Sequence, residues 1–293
     1  MRRAGVLLFA AAAACHRGSS AGHEAGVAAG AAPPPPPAEC AETSREVAPG
    51  LRVERVRAPV ASPVAIGDRC ITIVRAEPAR WELRLMQGRD NGGERTADEW
   101  SARFGLAAVI NASMYQSNGR SVGLMVDGEH AGNPSDNSKY GGFFAFGPTR
   151  DGLPPAAGFG RDCAGFDLAA IKRDYRAVVQ NYRLLDCAGQ PVTWQDAKAF
   201  SAAVVGLDRQ GRVAFVHSRT PYTMTQLARM LAAPPFELTF AMHTEGGPEA
   251  SLFVHAGDFT AREIGSYETG FFTRDDHASF TPLPNVLGLV QRD

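Results

Sequence analysis

The sequence predicts an α+β fold, with mixed β-sheets and a few flanking helices in a single globular domain. Three observations predict it. Short apolar or alternating runs outnumber segments of helical periodicity. The two kinds do not alternate regularly, as a doubly wound parallel sheet requires. No GxGxxG, P-loop, GxSxG or HExxH occurs, so no cofactor or common catalytic signature is expected.

The strands are expected in this order: Cys70 to Arg75, Trp81 to Met86, Ala107 to Ile110, Gly123 to Val126, Gly142 to Phe146, Ala177 to Asn181, Ala203 to Leu207, Val213 to His217, Leu238 to Met242 and Ser251 to Val254. Asp208-Arg209-Gln210-Gly211 reads as a hairpin turn, and Asp127-Gly128 as a tighter one. Thr96-Ala97-Asp98-Glu99 has capping-box spacing for a helix that runs through Trp100 and Phe104 and stops at Gly105. Phe166 to Tyr175 carries Leu168, Ile171 and Tyr175 at helical spacing. Thr223 or Thr225 caps another helix, ended before Pro234-Pro235.

The N-terminus carries export chemistry. Arg2 and Arg3 precede an apolar stretch, Gly5 to Ala14, shorter than the ~20 residues of a membrane span. Residues 1–15 read as a lipoprotein-type signal in which Ala12-Ala13-Ala14-Cys15 leaves a lipidated Cys15; plain secretion is the alternative. Residues 16–46, rich in Gly, Ala and Pro, read as a linker, and residues 47–293 as the folded domain. Of five cysteines, four remain beside Cys15. An even set in an exported chain favours disulfides, and four cysteines allow three pairings. Cys40 with Cys70 and Cys163 with Cys187 is preferred, because each pair closes a local loop.

The net charge is −1 and the basic residues are dispersed, so no nucleic-acid partner is expected. Membrane contact is expected only through the lipid anchor of an exported, envelope-bound protein. No EF-hand spacing surrounds Asp90-Asn91.

Two apolar runs end in polar chemistry. Ala107 to Ile110 runs into Asn111-Ala112-Ser113, and Leu238 to Met242 runs into His243-Thr244-Glu245, then Gly246-Gly247-Pro248. Loops at strand ends on a rigid scaffold gather binding residues. If both strands share a sheet, Asn111 and Glu245 reach one cleft, and Gly246 and Gly247 allow backbone to approach a ligand. A tight turn with a capping carboxylate is the blander reading.

From Asn111 to Val290 the chain resembles the phosphodiester glycosidase family. The resemblance rests on Asn111-Ala112-Ser113-Met114-Tyr115, on Gly123-Leu124-Met125-Val126-Asp127-Gly128, and on Tyr140-Gly141-Gly142-Phe143-Phe144. It continues through Val178 to Asp186, Val204 to Arg219 and Leu227-Ala228, to Glu245-Gly246-Gly247 where the family has Asp-Gly-Gly. Glu249 stands where serine is common. Phe200-Ser201-Ala202-Ala203 lacks the arginine that usually precedes the hairpin; Arg219, Arg120 or Lys139 are its candidate substitutes.

The resemblance implies hydrolysis of a glycosyl-1-phosphodiester, with a glycan or glycosyl phosphate as partner. It supplies the positions, and side-chain chemistry supplies the roles. A carboxylate near an anomeric carbon serves as nucleophile, base or stabilising charge, which suits Glu245. Asn111 is expected to bond a sugar hydroxyl or phosphoryl oxygen. His243 or His217 is expected to act as acid or base. Tyr115, Gly123, Lys139, Asn181, His217, Arg219, Gly246 and Gly247 complete the expected substrate contacts.

Phe143, Phe144 and the tryptophans are expected in the core. His243 and Glu245, two apart in a strand, are expected on one face; a metal site with His217 as third ligand is the alternative, and hydrogen-bonding histidines without a metal are preferred. The rival function is a non-catalytic envelope protein that binds or helps assemble polysaccharide.

Overall fold

The computed structural model describes residues 39–195 and 197–292. The expected signal, Cys15 and the linker up to Ala38 lie outside the described residues.

Three antiparallel sheets carry the fold. The first has the order β1-β2-β3-β12-β11-β13. Its strands are β1 (Thr43–Ala48), β2 (Leu51–Arg57), β3 (Cys70–Ala76), β11 (Ala199–Asp208), β12 (Val213–Thr223) and β13 (Leu238–Gly246). The second runs β7-β6-β10-β8-β9, from β6 (Met125–Asp127), β7 (His130–Asn133), β8 (Gly142–Pro148), β9 (Ala156–Gly160) and β10 (Tyr175–Asn181). The third runs β15-β14-β5-β16-β4, from β4 (Trp81–Gln87), β5 (Ala108–Asn111), β14 (Ser251–Ala256), β15 (Phe259–Ile264) and β16 (Asn285–Gln291). The α+β class holds, and every pairing between these strands is antiparallel.

The sheets share one core because their side chains alternate. Ala203, Val205 and Leu207 of β11 point into it, beside Phe144 and Phe146 from the second sheet and Ile110, Leu252 and Leu287 from the third. The intervening Ala202 and Val204 face the other way, onto a second cluster. There α4 (Met224–Ala232) packs Leu227, Met230 and Leu231 against the sheet. Burying each such side chain is worth roughly 1.5–3 kcal/mol.

The other two sheets are covered on their outer faces in the same way. α2 (Ala97–Phe104) covers the third with Trp100, and α3 (Leu168–Asp174) covers the second with Ile171. A single turn, α1 (Gly88–Asn91), follows β4.

The helix starts have identifiable causes. Thr96 and Glu99 form a capping box, and Thr223 and Gln226 form another. The Asp167 carboxylate accepts from the N–H groups of Ala169 and Ala170.

Two disulfides, Cys40–Cys70 and Cys163–Cys187, match the preferred pairing. They accord with an exported protein. The first ties the chain ahead of β1 to β3. The strand β1 begins at Thr43, inside the stretch expected to be linker.

Candidate functional site

The site forms where strand ends from all three sheets meet. β13 ends in Glu245 and Gly246; a single 3₁₀ turn, Gly247–Glu249, leads into β14, which pairs with β5. Asn111 closes β5 and binds this turn. Its Nδ2 donates to the Glu249 carbonyl at 3.0 Å, and its Oδ1 accepts from the Ser251 N–H at 2.8 Å. The two expected segments therefore converge. Asn111 is 1% exposed and both ends of its amide serve the backbone. It shapes the turn rather than facing a ligand.

The end of β10 adds a second polar tie. The buried Asn181 amide donates to Ser113 Oγ at 3.1 Å and to the Thr244 carbonyl at 3.4 Å. Its neighbour Gln180 accepts the N–H groups of Leu124 and Asn137, each at 2.9 Å. It also donates to the carbonyls of Asn137 and Tyr140, each at 2.8 Å. All four sites of that amide are used. Gly123 sits so close that a Cβ there would lie 2.7 Å from the Gln180 carbonyl oxygen, so only glycine fits.

Glu245 is buried and accepts the Gly246 N–H at 3.0 Å. Burial pushes its carboxyl up to about 8; the Gly246 bond opposes this, and the charges of Glu249 and Glu268 add to it. At neutral pH the acid is mostly protonated. Gly247 keeps these acids together. Its φ is +68°, and a Cβ there would lie 3.3 Å from Glu268 Oε2 and 3.5 Å from Glu249 Oε2.

Two tyrosines face the same charges. Burial, then Glu245, Glu249 and Glu94, raise the Tyr115 phenol above its ordinary range. Burial, then Tyr182 and Glu245, raise that of Tyr140. Burial raises Glu268, Lys198 pulls it back, and Glu249 raises it further.

A bulge corrects the expected geometry of β13. Across the strand pair, Ala203 stands opposite Glu245 while Val204 stands opposite His243, with the register shifting between them. Thr244 is the extra residue. His243 and Glu245 therefore occupy opposite faces. His243 packs its ring edge-on against Phe200, with centroids 5.4 Å apart, and neither ring nitrogen has a hydrogen-bond partner. Burial alone pushes it down to about 4, so it is neutral.

His217 does share the face of Glu245, since both flank Ala203 on neighbouring strands. Two strand spacings separate them by roughly 10 Å. Its Nε2 lies 3.2 Å from the Ala250 carbonyl, and burial pushes it down to about 4.

The remaining expected contacts divide clearly. Tyr115 and Gly246 adjoin Glu245. Arg219 is engaged elsewhere: Nε bonds Asp275 at 2.8 Å, while Nη1 and Nη2 bond the carbonyls of Ile264 and His277 at 2.7 and 2.9 Å. Arg120 holds Asn133 Oδ1 at 2.7 Å. Lys139 is exposed in the loop beside Asn137.

Among the described residues, the His, Cys, Asp and Glu atoms close enough to share an ion are those of Asp162, Cys163 and Cys187, and both sulfurs are already joined to each other. Sequence reasoning missed Glu268 and Lys198, which reach the site on separate loops with no local signal. It also missed Phe271-Phe272, an aromatic pair in a polar loop, which is a readable signal.

The model of the family described as phosphodiester glycosidase matches residues 104–290. A hypothetical protein from Synechocystis has a similar structure, with a TM-score of 0.57 and 11% identity. That similarity covers 86% of this chain and 64% of the Synechocystis chain, so this protein spans under two thirds of its length. The zebrafish N-acetylglucosamine-1-phosphodiester alpha-N-acetylglucosaminidase catalytic domain, auto-inhibited by its pro-peptide, is similar with a TM-score of 0.56 and 11% identity, covering 87% of each chain. At that identity the likeness concerns the fold. No curated protein matches the sequence.

Proposed function

The chain belongs to the phosphodiester glycosidase family, and on that premise we propose that it hydrolyses a glycosyl-1-phosphodiester in an envelope or extracellular glycoconjugate. The observation that carries this reading is Glu245. It is a buried acid held protonated near neutral pH, beside two further carboxylates.

A neutral buried acid is suited to donating a proton. As the bond from C1 to the phosphate oxygen breaks, Glu245 gives its proton to that oxygen. Water attacks C1 and gives a proton to Glu249, forming the C1–O bond of the free sugar. A phosphomonoester leaves. The developing oxocarbenium charge is stabilised by the Glu249 and Glu268 carboxylates. Lys198, whose charge reaches Glu268, balances the phosphate in place of the absent arginine. Asn111 and His217 position the turn, through Glu249 to Ser251, and do not touch substrate.

We place the protein outside the cytoplasm, anchored through a lipidated Cys15, with the chain between Cys15 and Cys40 as tether. The disulfides support export. The test is a panel of glycosyl-1-phosphodiesters assayed for release of free sugar, with Glu245→Gln beside the native protein. Turnover abolished by that change supports the proposal. A second reading, polysaccharide binding without catalysis, is favoured by one observation: the Asn111 amide is spent on backbone. Saturable glycan binding with no turnover across the panel would select it.

A further inference from the structure

Arg183 lies against the Cys163–Cys187 bridge. Its Nη1 donates to Cys163 Sγ at 2.9 Å and to Cys187 Sγ at 3.4 Å, and its Nη2 donates to Asp162 Oδ2 at 2.9 Å. The arginine side chain is 9% exposed, whereas that of Asp162 is 73% exposed. Water screens the carboxylate more than the guanidinium, so the sulfurs face a positive charge.

The fold makes room for this charge. Gly142 and Gly160 stand opposite each other on β8 and β9. A Cβ on Gly160 would overlap the guanidinium and lie 2.5 Å from Cys163 Sγ. One on Gly142 would lie 3.2 Å from the Cα and the Cβ of Arg183. The backbone on either side of Arg183 is tied to β13 without help from the bridge. The His243 N–H donates to the Tyr182 carbonyl at 2.9 Å, and the Leu184 N–H donates to the Ala241 carbonyl at 2.8 Å. Opening the bridge therefore leaves the guanidinium in place.

A cross-link kept only for stability gains nothing from a cation at its sulfurs. The cation favours a thiolate, and hence the reduced form. The two bridges of the protein differ in access as well. Cys40 and Cys70 are both buried, whereas Cys187 is exposed and Cys163 half-buried. Exposed bridges are the exchangeable ones. The guanidinium touches Asp162 and both sulfurs, so this cluster suits a thiolate rather than a metal cation.

We propose that the Cys163–Cys187 bridge is a thiol-exchange site for an external thiol, with Arg183 as the seat of the departing sulfur. The external thiolate attacks the exposed Cys187 Sγ and forms a mixed disulfide there. The S–S bond breaks, and its electron pair goes to Cys163 Sγ. Cys163 leaves as a thiolate paired with Arg183, which makes it the better leaving group of the two. A second external thiolate attacks the added sulfur, releasing the external disulfide and the Cys187 thiolate. Two electrons thus pass from two thiols to the bridge. The site stands apart from the hydrolytic reading of Glu245.

The test uses glutathione as the thiol. The full-length protein would be equilibrated at graded values of [GSH]²/[GSSG] and quenched by alkylation, and each bridge would be read by peptide mass spectrometry. The Cys163–Cys187 bridge is expected to open at a value at least roughly tenfold below that for Cys40–Cys70, with the glutathione adduct on Cys187. Arg183→Met should raise the opening value roughly tenfold, and Arg183→Lys should do so less. Asp162→Asn frees the guanidinium for the sulfurs and should lower the value roughly two- to threefold. The proposal is overturned if both bridges open together, if the adduct sits on Cys163, or if Arg183→Met opens as the native protein does. Should Arg183→Met fail to fold, the exposed Asp162→Asn decides, and an unchanged opening value there overturns the proposal equally.

Discussion

Asn111 accepts the backbone N–H of Ser251 at 2.8 Å, across 140 residues of chain. With its second bond to the Glu249 carbonyl, this one amide sets the path of the turn that carries the acids. Removing it leaves the buried Ser251 N–H without a partner, while the Glu249 carbonyl keeps the Ser251 hydroxyl at 3.0 Å. Such a loss costs about 1–3 kcal/mol. Asn111→Ala should therefore lower unfolding stability by about 1–3 kcal/mol in urea titration. Asn111→Asp keeps the acceptor for Ser251 and should recover part of that loss.

Glu245 ties stability and activity to pH with a definite sign. Its folded value, about 8, lies above the ordinary 4.5. The folded state thus gains from the protonated form, fully below pH 4.5, and loses that gain as pH rises through 8. Glu245→Gln removes the ionisation. Melting temperatures of the two proteins should diverge from pH 5 to pH 8 in favour of the variant, then run parallel. Turnover by the native enzyme should fall above pH 8, as the donor proton is lost.

His243 has the opposite sign. Burial holds it near 4, below its ordinary 6.5, so its contribution to stability is intact above pH 6.5 and lost as pH falls through 4. His243→Leu replaces a ring with unpartnered nitrogens by an apolar side chain. It should flatten the acid side of the stability profile while leaving kcat within a few-fold. A loss of kcat by orders of magnitude would return His243 to the chemistry.

Gly247→Ala adds a methyl group between two carboxylates at a positive φ. Backbone strain of this kind costs of order 1–3 kcal/mol. Because the methyl also pushes Glu249 and Glu268 apart, kcat should drop more than KM rises, which steady-state kinetics on a cleaved phosphodiester would show.

The Cys163–Cys187 bridge closes a loop with a sequence separation of 24. Replacing both residues with serine should cost about 2–4 kcal/mol, chiefly by freeing the unfolded chain. The cost should disappear when native and variant proteins are compared under reducing conditions.

Local pattern revealed the strands whose neighbours bury them. β3, β10, β12 and β14 each carry a run of apolar or β-branched residues that stands out, Ile71 to Val74, Ala177 to Val179, Val213 to Val216 and Leu252 to Val254. The strands β1 and β2, TSREVA and LRVERVR, are charged and less buried, so their residues look like linker or loop. β9 is AAGFG, too glycine-rich to read as a strand, although it closes one edge of the second sheet. β16, NVLGLVQ, is interrupted by Gly288, which lets Leu106 pack closely against the backbone.

The candidate site follows the same division. Glu245 and the following glycines are readable because an apolar run stops abruptly at a charge. Glu268 and Lys198 come from separate loops, and only tertiary folding brings them together. The shared face of His243 and Glu245 failed as an expectation because a period of two assumes no inserted residue.

That inserted residue, Thr244, makes the strand end a two-sided connector. Its single extra step sends one ionisable group toward the acidic cleft and the other toward the helix-covered layer. The two can therefore be altered independently, one for reactivity and the other for durability. Deleting Thr244 would leave His243 opposite Val204 and Glu245 opposite Ala203 as consecutive residues of a regular ladder, so each would keep its surroundings while the bend at the strand end is lost.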